Sequence, residues 1–139
     1  MKQHLVVGSW QDLHDRAAQV RFVVFVAEQK VPADLELDEL DAECVHALVE
    51  VAGKAVATGR LCPDGRIGRM AVLTPFRGRG LGSEILRALI SAAQLRGQHE
   101  TYLHAQMHAI GFYERHSFIA EGPEFDDAGI AHRLMRRTT

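Results

Sequence analysis

The 139-residue sequence predicts one α/β (α+β) domain, residues 1–139, built on a mixed, mostly antiparallel central sheet with helices on both faces. Three observations carry this expectation. Residues 45–73 hold three apolar runs separated by short turns, residues 81–96 repeat apolar side chains at helical spacing, and further strand-like and helix-like segments alternate around them.

In chain order, residues 4–8 (HLVVG) read as a first strand. Residues 12–28 read as a helix with Leu13, Ala17, Val20 and Val24 on one side. Pro32 then ends regular structure. Two apolar runs, 45–51 and 55–61, flank "AGK" as a hairpin would, and "CPDGR" turns the chain into a third run, 67–73. The helix over 81–96 places Leu81, Ile85, Leu89 and Ala93 on one face and Glu84, Arg87, Ser91 and Gln94 on the other, and Gly97 ends it. A strand at 101–105, a helix at 108–116 and strands at 118–121 and 130–136 complete the expectation.

Hydrophobic residues make up 47% of the chain and charged residues 24%, the balance of a soluble globular protein, and no apolar run approaches a membrane span. The opening stretch MKQHLVVGSWQDLHD returns to polar residues too early for a secretory signal, so a cytoplasmic protein without membrane partners is expected. A net charge of -2 argues against a nucleic-acid binder driven by a global basic field. Cys44 and Cys62 are too few for a disulfide scaffold and read as buried reduced thiols.

The chemistry concentrates in "TPFRGRGLGSEILRALISAAQLRG", residues 74–97. Three glycines within five residues, Gly78, Gly80 and Gly82, mean unusual dihedrals or a close approach to the main chain. At a helix start, with Arg77 and Arg79 beside it, the partner expected is an anion such as a pyrophosphate. A P-loop needs a Lys and then Ser or Thr after its last glycine, and this turn continues Leu81-Gly82-Ser83-Glu84. A dinucleotide fingerprint needs a third glycine at Ser83 and an acid after the next strand, whereas Glu100 precedes that strand.

What remains is Arg77-x-x-Gly80-x-Gly82 between the strand "IGRMAVL" and a helix. This resembles the central motif of the GNAT superfamily of acetyl-coenzyme A dependent N-acetyltransferases, Gln/Arg-x-x-Gly-x-Gly/Ala at the same junction. Downstream, "AQMHAIGFYERHSF" resembles the family's tyrosine-bearing helix. Upstream, "VRFVVFVAEQKVPADLELDELDAECVHALV" and "ATGRLCPDGRIGRMAV" resemble its ElaA-like subgroup, so the likeness spans roughly residues 20–136. Two positions depart from the pattern: Gln106 stands where many relatives have asparagine, and Ser117 replaces the glycine usual before the final Phe.

The resemblance implies acetyl-CoA as cosubstrate and a role for each matching residue. The N–H groups of Arg79, Gly80, Leu81, Gly82 and Ser83 would take the pyrophosphate, with Arg77 or Arg79 adding charge. The pantetheine would pair with the strand edge formed by Met70, Ala71 and Val72, a segment the resemblance implies is splayed from the next strand, and Gln106 would complete the slot. The Val72 N–H would meet the thioester oxygen. Tyr113 matches the family's tyrosine and would protonate the departing thiolate, while Glu28 and His132 are candidate general bases.

No metal is expected. His104 and His108 are four apart, but the strand "TYLHA" separates them from a common helix face, and no HExxH is present. The acidic run "DLELDELDAE" lacks a calcium loop's glycine, Glu39 standing in its place. It reads as a solvated segment or as a lure for a cationic acceptor. The expected function is acetyl transfer to a primary amine of a small molecule or peptide by direct attack. A non-catalytic acyl-CoA sensor is the alternative. The sequence leaves the oligomeric state open, a homodimer being the prior for a soluble enzyme of this size.

Overall fold

In the computed structural model, which describes residues 2–139, the apolar runs form two antiparallel sheets. The first is a meander of β1 (Gln3–Ser9), β2 (Val45–Val51), β3 (Lys54–Leu61) and β4 (Ile67–Val72). The second holds β5 (Glu100–Gln106), β6 (Ile119–Asp127) and β7 (Ile130–Thr138) in the order β5-β7-β6. A parallel bridge, Arg66 with Tyr102, joins them, making the whole arrangement mixed and mostly antiparallel as expected.

The helices cover opposite faces of the first sheet. In β2, Leu48 packs with Leu13 and Ala17 of helix α1 (Trp10–Arg21). Its neighbours Ala47 and Val49 belong to the cluster of Ile85, Leu86 and Leu89 from helix α3 (Leu81–Leu95). That is the period-two alternation of a strand buried on both sides.

Two stretches differ from the sequence expectation for physical reasons. The helix expected over 12–28 keeps its predicted buried face, Leu13, Ala17, Val20 and Val24, but passes from α1 into a π-helical turn over Phe22–Glu28. The run "FVVFVA" crowds β-branched side chains that fit an α-helix poorly, and the wider turn carries Glu28 and Gln29 toward the sheet.

The acidic run is solvated only in part: Glu39 and Glu43 are exposed, whereas Glu36, Asp38 and Asp41 turn inward. After Pro32 it forms a short helix α2 (Ala33–Glu36) and a 3-10 turn (Glu39–Glu43), and it folds onto three arginines. Arg21, 1% exposed, bonds the carboxylates of Glu36 and Asp41. Arg60 bonds Asp38 and Asp41, each at 2.7 Å. Arg69 donates to the Glu36 carbonyl at 2.9 Å and to Asp38 at 3.2 Å. Three cations thus face three carboxylates in a largely buried cluster, the condition under which such charges are tolerated.

Near the other end, β6 runs past the expected residue 121 to Asp127. A register shift between Glu121 and Phe125 absorbs Gly122 and Pro123. Helix α4 (Ile110–Glu114) follows a 3-10 turn, and Ser117 after it sits at φ +70°, the left-handed region that explains glycine at this position in relatives.

The feature that shapes the site is a bulge in β4. Pairing passes from Thr58 with Ala71 to Arg60 with Gly68, so Arg69 and Met70 stand opposite the single residue Gly59. Arg69 takes the left-handed conformation, φ +50°, and its guanidinium is held by the acidic segment. Gly59 meets the neighbouring helix: a Cβ there would lie 2.7 Å from Ile85 Cγ2 and 3.0 Å from Leu89 Cδ1. Both are fully buried core side chains, so Gly59→Ala is expected to destabilise by about 1–3 kcal/mol, read as a lowered urea midpoint at unchanged slope.

Candidate active site

The bulge turns β4 away from β5, and a cavity of about 920 Å³ opens between the sheets, lined by Val72, Gly82, Leu103, Gln106, Tyr113 and His132 among others. At its mouth the chain leaves β4 through a 3-10 turn (Thr74–Phe76) and the glycine-rich turn, and enters α3.

Gly78 and Gly80 have φ +78° and +80°, so both use a conformation that disfavours other residues. Gly80 is the N-cap of α3 and offers no side-chain cap. The first N–H groups of a fifteen-residue helix therefore face outward with the positive end of its dipole. A Cβ on either glycine would meet nothing within 4 Å, so these positions are open. Gly82 differs: a Cβ there would come within 3.4 Å of the Phe112 ring. The residues present fit a pyrophosphate.

The β4 edge presents its backbone to the cleft. Leu73 N–H donates to the Val56 carbonyl of β3 at 2.9 Å, so by strand alternation the Val72 N–H and C=O point the other way. The Val72 carbonyl accepts from Arg77 Nε at 2.8 Å. Met70, Ala71 and Val72 all line the cavity.

Arg77 also grips Glu28 with both terminal nitrogens, at 2.9 and 2.8 Å. These hydrogen bonds hold the Glu28 carboxyl below the usual carboxylate range. A carboxylate so paired is a poor proton acceptor. Arg79 instead lies over the Phe76 ring, 5.4 Å from its centroid. The Ser83 hydroxyl meets His116 Nε2 at 2.8 Å, and Gln106 exchanges two hydrogen bonds with Gln29, the shorter 2.9 Å.

Tyr113, on α4, packs edge-on against Phe112 and Phe118 with centroids 5.0 and 5.9 Å away. Burial pushes its phenol up to about 12, so the hydroxyl keeps its proton at neutral pH. His132, on β7, lies across the β5–β7 ladder from Gln106. Its Nδ1 is 2.6 Å from the Ile130 carbonyl, a pure acceptor, so that nitrogen carries a proton and, in the neutral ring, the lone pair is on Nε2.

The cleft thus brings together residues 70–72, Arg77, Gly82, Gln106, Tyr113, His132 and Glu28. Gly78, Arg79, Gly80, Leu81 and Ser83 are not in its wall and form the adjoining turn and first helical turn. Sequence reasoning missed Gln29, which orients Gln106 from 77 residues away, and Arg69, which holds the bulge. Neither belongs to a local motif, so a fold is needed to find them. Phe112 under Gly82 was within reach as the neighbour of Tyr113 on a helix. Among the described residues no three His, Cys, Asp or Glu side chains converge into a metal-holding group, and no helix is long and apolar enough to cross a membrane.

A splayed β4–β5 pair with a glycine-rich helix start at its mouth and a tyrosine in its wall defines an acyl-CoA dependent acyltransferase fold. The chain belongs to the GNAT acetyltransferase family: residues 11–139 match the family described as "Acetyltransferase (GNAT) domain". It is 40% identical over 125 residues to YjcF of Bacillus subtilis, an N-acetyltransferase itself uncharacterized, with 87% of this chain and 89% of that one covered. An acyl-CoA N-acyltransferase from Pseudomonas aeruginosa superposes with a TM-score of 0.87 at 30% identity over 99% of this chain and all of that one. Escherichia coli ElaA shares the fold at TM-score 0.87 and 24% identity, covering 98% and 99%. Membership implies acyl-CoA dependent transfer to an amine.

Proposed function

We propose that the protein transfers acetyl from acetyl-CoA to a primary amine of a small molecule or peptide by direct attack, with both substrates bound together. The observation that carries this reading is the cleft itself. It joins an uncapped helix start, an outward-facing Val72 N–H and a neutral, partly buried phenol in one wall.

The residues divide the work by chemistry. The N–H groups from Arg79 to Ser83 bind pyrophosphate oxygens, and the glycines let them approach. Arg77, fixed by Glu28 and the Val72 carbonyl, braces the turn against β4, and Arg79 beside it adds positive charge at the mouth. The edge of residues 70–72 pairs with the pantetheine amides, and Gln106, oriented by Gln29, closes the far side. The Val72 N–H stabilises charge developing on the thioester oxygen, because it is aimed into the cleft by the strand rather than by solvent. His132 Nε2 accepts the proton of the attacking amine, and Tyr113 donates one to the departing sulfur. Of the two candidate bases His132 suits the task better, since Glu28 is committed to Arg77.

The test is binding followed by turnover. Coenzyme A and desulfo-coenzyme A are each expected to raise Tm and to titrate calorimetrically, since a ligand of the folded state alone stabilises it by mass action. No heat at millimolar ligand would overturn the reading. Gly80→Val combined with Gly82→Val is expected to weaken that binding at least tenfold by blocking the backbone, with ligand-free Tm as the folding control. Coenzyme A release across a panel of amines then identifies the acceptor, and a folded protein that binds acetyl-CoA but acetylates none of them would instead be a sensor.

A further inference from the structure

Cys44 and Cys62 face each other where β2 and β3 end. The ladder pairs Val45 with Leu61, so one step outward Cys44 stands opposite Cys62. Neither backbone serves the other. Cys62 donates its N–H to the Arg66 carbonyl at 2.8 Å and accepts from Gly65 at 3.0 Å, while the Cys44 N–H goes to Asp41 at 3.3 Å. They form a non-hydrogen-bonded cross-strand pair, the kind whose Cα atoms come nearest, at about 4.5 Å, within the roughly 4.4–6.8 Å that a disulfide spans. Both are free thiols, 4% and 3% exposed, with their sulfurs 2.7 Å apart.

We propose that Cys44 and Cys62 are a modification site, closing into a reversible intramolecular disulfide when the protein meets a peroxide. The sulfurs already lie 2.7 Å apart on facing strand ends, so closing the bond asks for a short approach of the two side chains.

Cys62 is the attacking sulfur. The hydrogen-bonding contact with Cys44 lowers the Cys62 thiol, and Arg60 two residues before it adds positive charge against the cost of burial. The contact with Cys62 and burial push Cys44 up, and its S–H is donated to the Leu40 carbonyl at 3.0 Å, so it keeps its proton. The Cys62 thiolate attacks one peroxide oxygen and breaks the O–O bond, giving a sulfenic acid and hydroxide. That hydroxide takes the Cys44 proton as water. The Cys44 thiolate then attacks the Cys62 sulfur and expels a second hydroxide, which recovers the proton Cys62 had lost. Two thiols are oxidised and one peroxide is reduced to two waters.

The bond would act on the acidic segment. Cys44 directly follows the turn that carries Asp41, and its Sγ lies 3.0 Å from the Leu40 carbonyl; Cys62 lies two residues beyond Arg60, the partner of Asp38 and Asp41. Oxidation would tie covalently the two segments that the buried ion cluster joins by charge.

The experiment uses the full chain, reduced with dithiothreitol or treated with hydrogen peroxide, then alkylated after denaturation and weighed intact. The expected product is a monomer with no alkylatable thiol, lighter than the reduced protein by the two hydrogens lost, restored by dithiothreitol, and with Tm raised by about 5 °C or more. Two persistent thiols, sulfinic acid, or a disulfide-linked dimer as the main product would overturn the proposal. In Cys44→Ser the Cys62 sulfenic acid has no partner and is expected to be trapped by dimedone. A folded variant that takes up no dimedone would refute the order of attack, and if the variant does not fold, the wild-type mass decides alone.

Discussion

Tyr113→Phe is expected to lower kcat by about tenfold to a thousandfold while leaving the fold and the affinity for acetyl-CoA nearly unchanged. The ring contacts with Phe112 and Phe118 survive the substitution, and only the hydroxyl is removed. Burial keeps that hydroxyl protonated far above neutral pH, the state a proton donor needs. A general acid matters in proportion to the basicity of the leaving group. The loss should therefore shrink with an acetyl thioester whose thiol is more acidic than that of coenzyme A. A variant with full activity toward coenzyme A thioesters and the same acceptor would assign the proton to another residue or to water, and Tyr113 to packing alone.

The parts of this site that were legible in the sequence are those that one short segment specifies by itself. Gly78 and Gly80 adopt positive φ because the turn into α3 requires it, and three glycines with two arginines at a helix start announce an anion without tertiary information. The core face of α3 follows from the spacing of Leu81, Ile85, Leu89 and Ala93, all buried. Tyr113 was reached through the family likeness, since nothing local separates a catalytic phenol from a packed one. The bulge was not legible. It depends on Gly59 and Arg69 meeting across two strands, and on Glu36 and Asp38 arriving from another part of the chain to hold Arg69. The inward turn of Glu36, Asp38 and Asp41 within the acidic run was hidden for the same reason. Carboxylates at this density look solvated until the three arginines that neutralise them, at positions 21, 60 and 69, are seen in space.

The second large effect belongs to that cluster. Asp41 is 2% exposed, bonds Arg21 and Arg60 at 2.7 Å each, and receives the Asp38 N–H at 3.3 Å. Asp41→Ala leaves two buried guanidinium groups short of a counter-charge, and the expected loss is about 3–5 kcal/mol, a large share of the roughly 5–15 kcal/mol that holds a domain of this kind together. The pH dependence follows from the carboxylates. Burial alone would raise Asp38 and Asp41, but the hydrogen bonds and charges of Arg60 and Arg21 outweigh it and hold both below the usual carboxylate range. A carboxyl whose folded value is depressed contributes stability that is present above its unfolded value, near about 4, and lost as pH falls through the folded value. Wild-type stability is thus expected to drop steeply on acidification below about pH 4, and Asp41→Ala to flatten that limb as well as lower the plateau. Because Asp41 and Asp38 share Arg60, and Asp38 also holds Arg69 in the β4 bulge, the variant should raise the KM for acetyl-CoA more than it lowers kcat. Asp15→Ala, at a side chain 85% exposed, serves as the control and should change neither stability nor KM. Equal urea midpoints for Asp41→Ala and wild type at pH 7 would show that the cluster repacks around its missing charge.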